Sequence, residues 1–268
     1  MAVYCYLAPR DAVPKAKAAA HRALEIEPEL PEALTVLGSM KAYFDWDLPG
    51  AEQLLRRAVA LDPKYPRARQ GLSDCLTEMG LFEEAAAEVA RALELDPLSL
   101  HMNAAVVMNY HFARRDEDAI EQGRRAIDLD ASFFPTRFYL GLAYQQNGQF
   151  AEAVAELQQA RALSNNNTLV TATLGGAFAA AGREDEARAI LRELDEAAQR
   201  RYVPQTAVAA VHAGLGDENQ ALSCLEKANE KRCVWLLHAL TVDPRFDSLR
   251  GNPRFQDLVR SVRQGGKE

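Results

Sequence analysis

"GLSDCLTEMGLFEEAAAEVARALELDP", residues 71–97, decides the fold. Leu72, Cys75, Leu76 and Met79 share one face at helical spacing, Gly80 breaks the pattern, and Phe82, Ala85, Val89, Ala92 and Leu93 form the apolar face of a second helix. The stretch closes on Asp96-Pro97, and proline cannot continue a helix. It reads as two antiparallel helices around a glycine turn. Such a hairpin cannot bury its apolar face alone, so it requires neighbours of the same kind.

Those neighbours stand on both sides. Ala51, Ala85, Ala119, Ala153, Ala187 and Ala221 follow one another at steps of 34 residues. Seven positions later come Ala58, Ala92, Ala126, Ala160, Leu194 and Ala228, and before the first row stand Leu37, Leu72, Val106, Leu140, Leu174 and Val208. Turn glycines repeat at Gly80, Gly148, Gly182 and Gly216, while Arg114 holds that place in one unit and Trp46 in another. Four rows in one register identify a repeat rather than a bias toward alanine. Small residues let paired helices approach closely, and glycine takes the turn between them. The step from Leu37 to Leu72 is one residue too long, so the corner at "YFDWDLPGAE" (43–52) carries an insertion. There Asp47 reads as a helix N-cap with Pro49 in the first turn, and Trp46 is expected to pack over the enlarged corner. Two aspartates at a loop edge are too few oxygen ligands for a divalent ion, so Asp45 and Asp47 read as structural.

"LGLAYQQNGQFAEAVAELQQARAL" (140–163) and "ALELDP" (92–97) resemble the tetratricopeptide repeat, with its Leu-Gly, Tyr, Gly, Ala and Pro signature at matching offsets. Ala131 and Asn165 depart from the closing proline of that pattern. More narrowly, "FDWDLPGAE", "ARRDEDAIEQ" and "VDPRFDSLRGNPRFQDL" resemble arrays found in bacterial signalling and transcription-control proteins, C-terminal to DNA-binding, kinase or cyclase domains. The resemblance implies an all-α, right-handed superhelical solenoid that acts as a non-catalytic protein-interaction scaffold. The expected organisation is a partial repeat at 1–30, then full repeats at 31–65, 66–99, 100–133, 134–167, 168–201 and 202–231. Capping helices follow at 232–263, and a disordered tail at 264–268. In the cap, Asp243-Pro244 and Asn252-Pro253 each open a short helix, and Gly251 is expected to end the first in a left-handed conformation. Phe255, Leu258 and Val259 form the apolar face of the second. The partial first unit implies a start inside a longer multidomain chain.

The composition excludes several other classes. A net charge of -7, with basic runs such as "ARR" (113–115) interrupted by acids, gives no surface for nucleic acid. Cys5, Cys75, Cys224 and Cys233 have neither disulfide-framework nor zinc spacing, which suits reduced thiols in a cytoplasmic chain. No stretch is long and apolar enough for a signal peptide or a membrane span. No phosphate-cradling loop, nucleophile elbow or HExxH helix appears, so no catalytic, metal-binding or cofactor-binding residue is assigned.

Function is expected on the concave face, lined by the first helix of each unit. The family's groove positions fall on Arg67, Gln70 and Asp74, then His101, Met108, His111 and Phe112, then Phe138, Gln145 and Gln146. A protein or peptide would use such a polar-to-aromatic surface. The positions that would clamp a chaperone's terminal carboxylate hold Thr35, Ser39, Gln70, Asp74, Ala104 and Met108, so no such clamp is present. A catalytic site around His101 and His111 is the alternative reading.

Overall fold

The computed structural model describes residues 7–265, and every regular element among them is helical. Helix α1 (Pro9–Ile26) precedes six antiparallel pairs. These are α2 (Pro31–Met40) with α3 (Leu48–Leu61), α4 (Pro66–Glu78) with α5 (Phe82–Leu95), and α6 (Leu100–Phe112) with α7 (Asp116–Leu129). Then come α8 (Phe134–Gln146) with α9 (Phe150–Leu163), α10 (Thr168–Ala180) with α11 (Glu184–Ala197), and α12 (Gln205–Gly214) with α13 (Glu218–Glu230). The first helix of each pair packs on its own partner, on the second helix of the preceding pair and on the first helices beside it. The first helices therefore form the inner, concave layer of a right-handed superhelix.

The alanine rows mark the crossings. Ala51, Ala85, Ala119, Ala153, Ala187 and Ala221 are all fully buried. On the facing helices a side chain is equally unwelcome: a Cβ at Gly141 would lie 2.6 Å from Leu157 Cγ. Each first helix ends in one hydrogen-bonded corner, seen where Leu81 N–H donates to Leu76 O (2.9 Å) and Gln149 N–H to Tyr144 O (2.8 Å). The residue before each such donor is left-handed, with Gly80 at φ 75° and Gly148 at 74°. Arg114 takes the same conformation at 62°, and Trp46 at 60°, without the freedom that glycine has there.

The inserted residue at the first corner is absorbed in the helix. Lys41–Asp45 winds as a single π-helical turn, and the closing bond runs from Asp47 N–H to Lys41 O (3.1 Å), six residues back instead of five. Asp47 caps α3 by accepting from Gly50 N–H (2.9 Å), as its spacing predicts. Asp45 instead pairs with Lys17 of α1 (2.6 Å). Trp46 is buried in a cluster that also includes Leu236, Phe246 and Leu249, where the array's two ends meet. Leu48, of the same corner, packs against the cluster that holds Trp46.

After α13 the chain turns inward through α14 (Leu236–Thr241), a 3-10 segment (Pro244–Leu249) and α15 (Pro253–Gly265). Asp243 and Asn252 cap the last two, accepting from Arg245 N–H (3.0 Å) and Arg254 N–H (3.0 Å). Phe255 and Leu258 are buried and Val259 is half-buried, so α15 covers the last pair with the face its sequence predicts. Gly251, expected to be left-handed, is not. Arg250 ends the 3-10 segment in a right-handed conformation, and Asn252 N–H donates back to Leu249 O (2.9 Å), so no reversal is needed. Helix α15 runs to Gly265, two residues into the segment expected as a tail. Residues 266–268 of that tail, and Met1–Tyr6 of the expected partial repeat, lie outside the described residues.

Three contacts join the ends, and a fourth ties the C-terminal segment to the third corner. The Arg10 guanidinium donates to Glu230 O, and Arg232 donates to Phe44 O (3.4 Å). Arg232 also sits 4.7 Å over the Trp46 ring, and Arg114 pairs with Asp247 (2.8 Å).

Candidate binding groove

Helix α14 lies inside the concave face. It follows the sixth pair in sequence yet packs on α4 of the second, so it crosses the groove. The apolar run "CVWLLHAL" (233–240) explains why. A helix without a polar face is stable only when surrounded. Leu236, Leu237, His238, Ala239 and Leu240 are all buried.

His238 anchors this helix. Its ring stacks on Tyr43 with centroids 5.8 Å apart and planes within 9°, and it lies 4.9 Å from the Phe112 ring and 4.8 Å from that of Trp235. His238 Nδ1 lies against Glu78 Oε1, and Thr241 donates to Glu78 Oε2 (2.9 Å). Glu78, at the end of α4, is thus the polar floor on which α14 rests. Among Phe112, Phe138, Tyr139, Leu142, Leu169 and Trp235 only about 10 Å³ of space remains, about the room of a single water.

The N-terminal half of the groove is different. Between α2, α4 and α6 lies a cavity of about 400 Å³. Arg67, Gln70, Asp74, His101 and Met108 line it, five of the ten groove residues read from the sequence. Tyr43, Tyr65, Tyr139 and Trp235 supply its aromatic walls. Asp74 accepts from Tyr43 Oη (2.9 Å) and from Gln70 Nε2 (3.3 Å). Burial raises its carboxyl to about 7, against the lowering effect of the Tyr43 hydrogen bond. Burial also pushes the His101 imidazole down to about 4, so it is neutral at physiological pH.

The remaining groove residues are elsewhere. Phe112 is buried against His238 of α14, His111 is buried with its Nδ1 3.4 Å from Asp116 Oδ1, and Phe138 borders the filled region. Gln145, half-buried, and Gln146, exposed, close α8 and do not line the cavity. His101 and His111 therefore do not share a cavity. Among the described residues no three His, Cys, Asp or Glu side chains converge as a metal site would require. Sequence reasoning missed Tyr43, Tyr65, Tyr139 and Trp235. Tyr43 sits in the π turn, where the register slips, and nothing in a 34-residue period announces that α14 returns to the groove.

Similarity to known proteins agrees with this architecture. The tetratricopeptide repeat family matches residues 47–106 and 144–215. A tetratricopeptide repeat protein from Parabacteroides merdae ATCC 43184 superposes over 97% of this chain and 94% of its own, with a TM-score of 0.60 at 12% identity. Cut9, solved in an APC/C hetero-tetramer with Hcn1, gives 0.61 at 14% identity, over 94% of this chain and 46% of its own. PilF of Pseudomonas aeruginosa gives 0.53 at 17% identity, over 86% of this chain and 97% of its own. No curated protein sequence matches the chain. At these identities the structures show a shared fold. With the repeat match and the helix pairs, that fold defines the class: this chain is a tetratricopeptide repeat protein.

Proposed function

We propose that this array is a non-catalytic protein-interaction scaffold whose partner engages the open, N-terminal half of the concave groove. One observation carries the reading: Arg67, Gln70, Asp74, His101 and Met108 converge with four aromatic side chains on one unfilled cavity, while the rest of the groove is occupied by the chain's own helix. Aromatic and Met walls with a few convergent polar groups are the usual make-up of a recognition site. The likeness of "VDPRFDSLRGNPRFQDL" to arrays of bacterial regulators supports a place as the sensory or regulatory arm of a longer signalling or transcription-control protein.

A photo-crosslinking residue at Tyr65, on the cavity rim, tests the site. It should capture a partner that an equivalent probe at Arg91 on the outer helix α5 does not, and Arg67→Glu should abolish the capture. Equal capture from both positions, unaffected by Arg67→Glu, would place the interaction elsewhere.

A further inference from the structure

The cavity has a size and a charge that narrow its occupant. At about 400 Å³ it lies near the small end of ligand pockets, and Trp235 of α14 stands in its wall. A helix about 10 Å across needs a continuous channel, so with α14 in place none can run through the groove. The space suits a body the size of roughly one or two amino-acid residues.

Charge is the second constraint. Among the described residues no carboxylate lies within ion-pair distance of Arg67, although it faces Asp74 across the cavity, and its guanidinium donates to Gln70 Oε1 at 3.3 Å. Its neighbour Arg69 is committed to Glu88 (2.7 Å), and Arg137, two repeats on at the place of Arg69, is committed to Glu156 (2.6 Å). Arg67 is exposed, so its charge stands at the mouth. Inside, Asp74 is occupied by Tyr43 and Gln70, and His101 is neutral, which leaves Arg67 as the cavity's free cation. Beyond it the walls are Val36, Met40, Tyr65, Ala105, Met108 and Tyr139.

A second cleft, of about 520 Å³, opens between the α4 corner and α15, but it lacks this chemistry. Its cations are engaged, Arg250 with Leu240 O, Asp243 O and Asp247, and Arg260 with Asp257.

From these features we infer that the cavity binds a small monocarboxylate with an apolar or aromatic body, its carboxylate on Arg67 and its body between the aromatic and methionine walls. One guanidinium matches one carboxylate bidentately, whereas a phosphate dianion would keep unbalanced charge beside Asp74. The inference rests on the reading that the open half of the groove is the binding face. A chain that captures its partner at Tyr65 yet binds no acid would lose this inference alone.

The test uses the full chain with 3-phenylpropionate, indole-3-acetate and decanoate, each beside its neutral amide, in calorimetric titrations. Peptides ending in phenylalanine, with free or amidated C-termini, form a second arm. At least one acid or free-ended peptide should bind saturably, with its amide weaker by about tenfold or more. Arg67→Met should weaken the acid by a similar factor, leave the amide unchanged, and hold the melting temperature within about 2 °C. Arg260→Met, in the other cleft, should change nothing. Free acids binding alone would identify a small-molecule ligand, and free-ended peptides alone a chain terminus; both keep the carboxylate site. Acid and amide binding alike, an Arg67→Met variant that binds as wild type, or no saturable binding by any probe up to about 5 mM would overturn it.

Discussion

The two halves of the concave face are built from the same repeat and end as different surfaces. Over α2, α4 and α6 the groove presents Arg67, Gln70 and His101 and stays open, whereas over α8 and α10 it presents Phe138, Leu142 and Leu169 and is filled. The register fixes where a side chain points, and the residue placed there decides whether that point needs cover. Polar positions can face water, while a continuous apolar stripe requires a partner. Here the chain supplies its own, in α14.

Removing that partner should have the largest effect. Truncation after Lys231 exposes Phe112, Phe138 and Leu169 and deletes Leu236, Phe246 and Leu249, all buried. At roughly 2 kcal/mol for each large apolar side chain, a loss above about 5 kcal/mol is expected, seen as self-association by light scattering and a lowered melting temperature. A monomeric truncated chain with the melting temperature of the full protein would show that the filled half needs no cover.

The next experiment asks whether the halves share one frame. Ala85→Phe lies under the open half and Ala153→Phe under the filled half, both at fully buried crossings. Each should cost about 1–3 kcal/mol or more in denaturant unfolding, since neither crossing has room for a ring. A melting midpoint unchanged in both variants would show that the repeat register is wrong.

The open half should also carry its own pH signature. Asp74, with its carboxyl raised from 3.8 to about 7, binds a proton in the folded state that the unfolded chain has released. Its contribution to stability is therefore complete below about pH 4 and is lost as pH rises through about 7. Tyr43, Gln70, Glu78, Arg67 and His238 face it. His101 works in the opposite sense, its contribution present above 6.5 and lost as pH falls toward 4. Comparison of Asp74→Asn with wild type isolates the first term. The variant should gain relative stability by at most about 1.4 kcal/mol per pH unit between pH 4 and 7. A pH-independent difference would remove the burial assigned to Asp74.

The smallest effect belongs to the first corner. Asp47→Ala should cost about 1 kcal/mol through the lost cap on Gly50 N–H, and Asp45→Ala less, since its pair with Lys17 is partly solvated. Thermal unfolding of the two variants measures the order, and a larger loss in Asp45→Ala would reverse it.

The repeat frame was legible because it is local. Gly80, the alanine rows and Asp47 act on neighbours within one hairpin, so spacing alone reveals their roles. The open cavity was half legible: Arg67, Gln70, Asp74, His101 and Met108 stand at the groove positions of their helices. Trp235 and His238 were not legible as groove residues. Their neighbours Tyr43, Glu78 and Phe112 are far away in sequence, and "CVWLLHAL" announces only that it must be buried, not against what. For the same reason, spacing did not reveal that the surroundings of Trp46 include Leu236, Phe246 and Leu249 from the far end of the array.

The central claim is that the chain's own helix α14 fills half of its groove, and nuclear Overhauser contacts between aromatic rings test it most directly. With His, Tyr and Phe rings selectively labelled in the full chain, the His238 ring should show cross-peaks to Phe112, 4.9 Å away between centroids, and weaker ones to Tyr43 at 5.8 Å. Assigned His238 resonances without a cross-peak to either ring, together with rapidly exchanging amides along α14, would contradict the account.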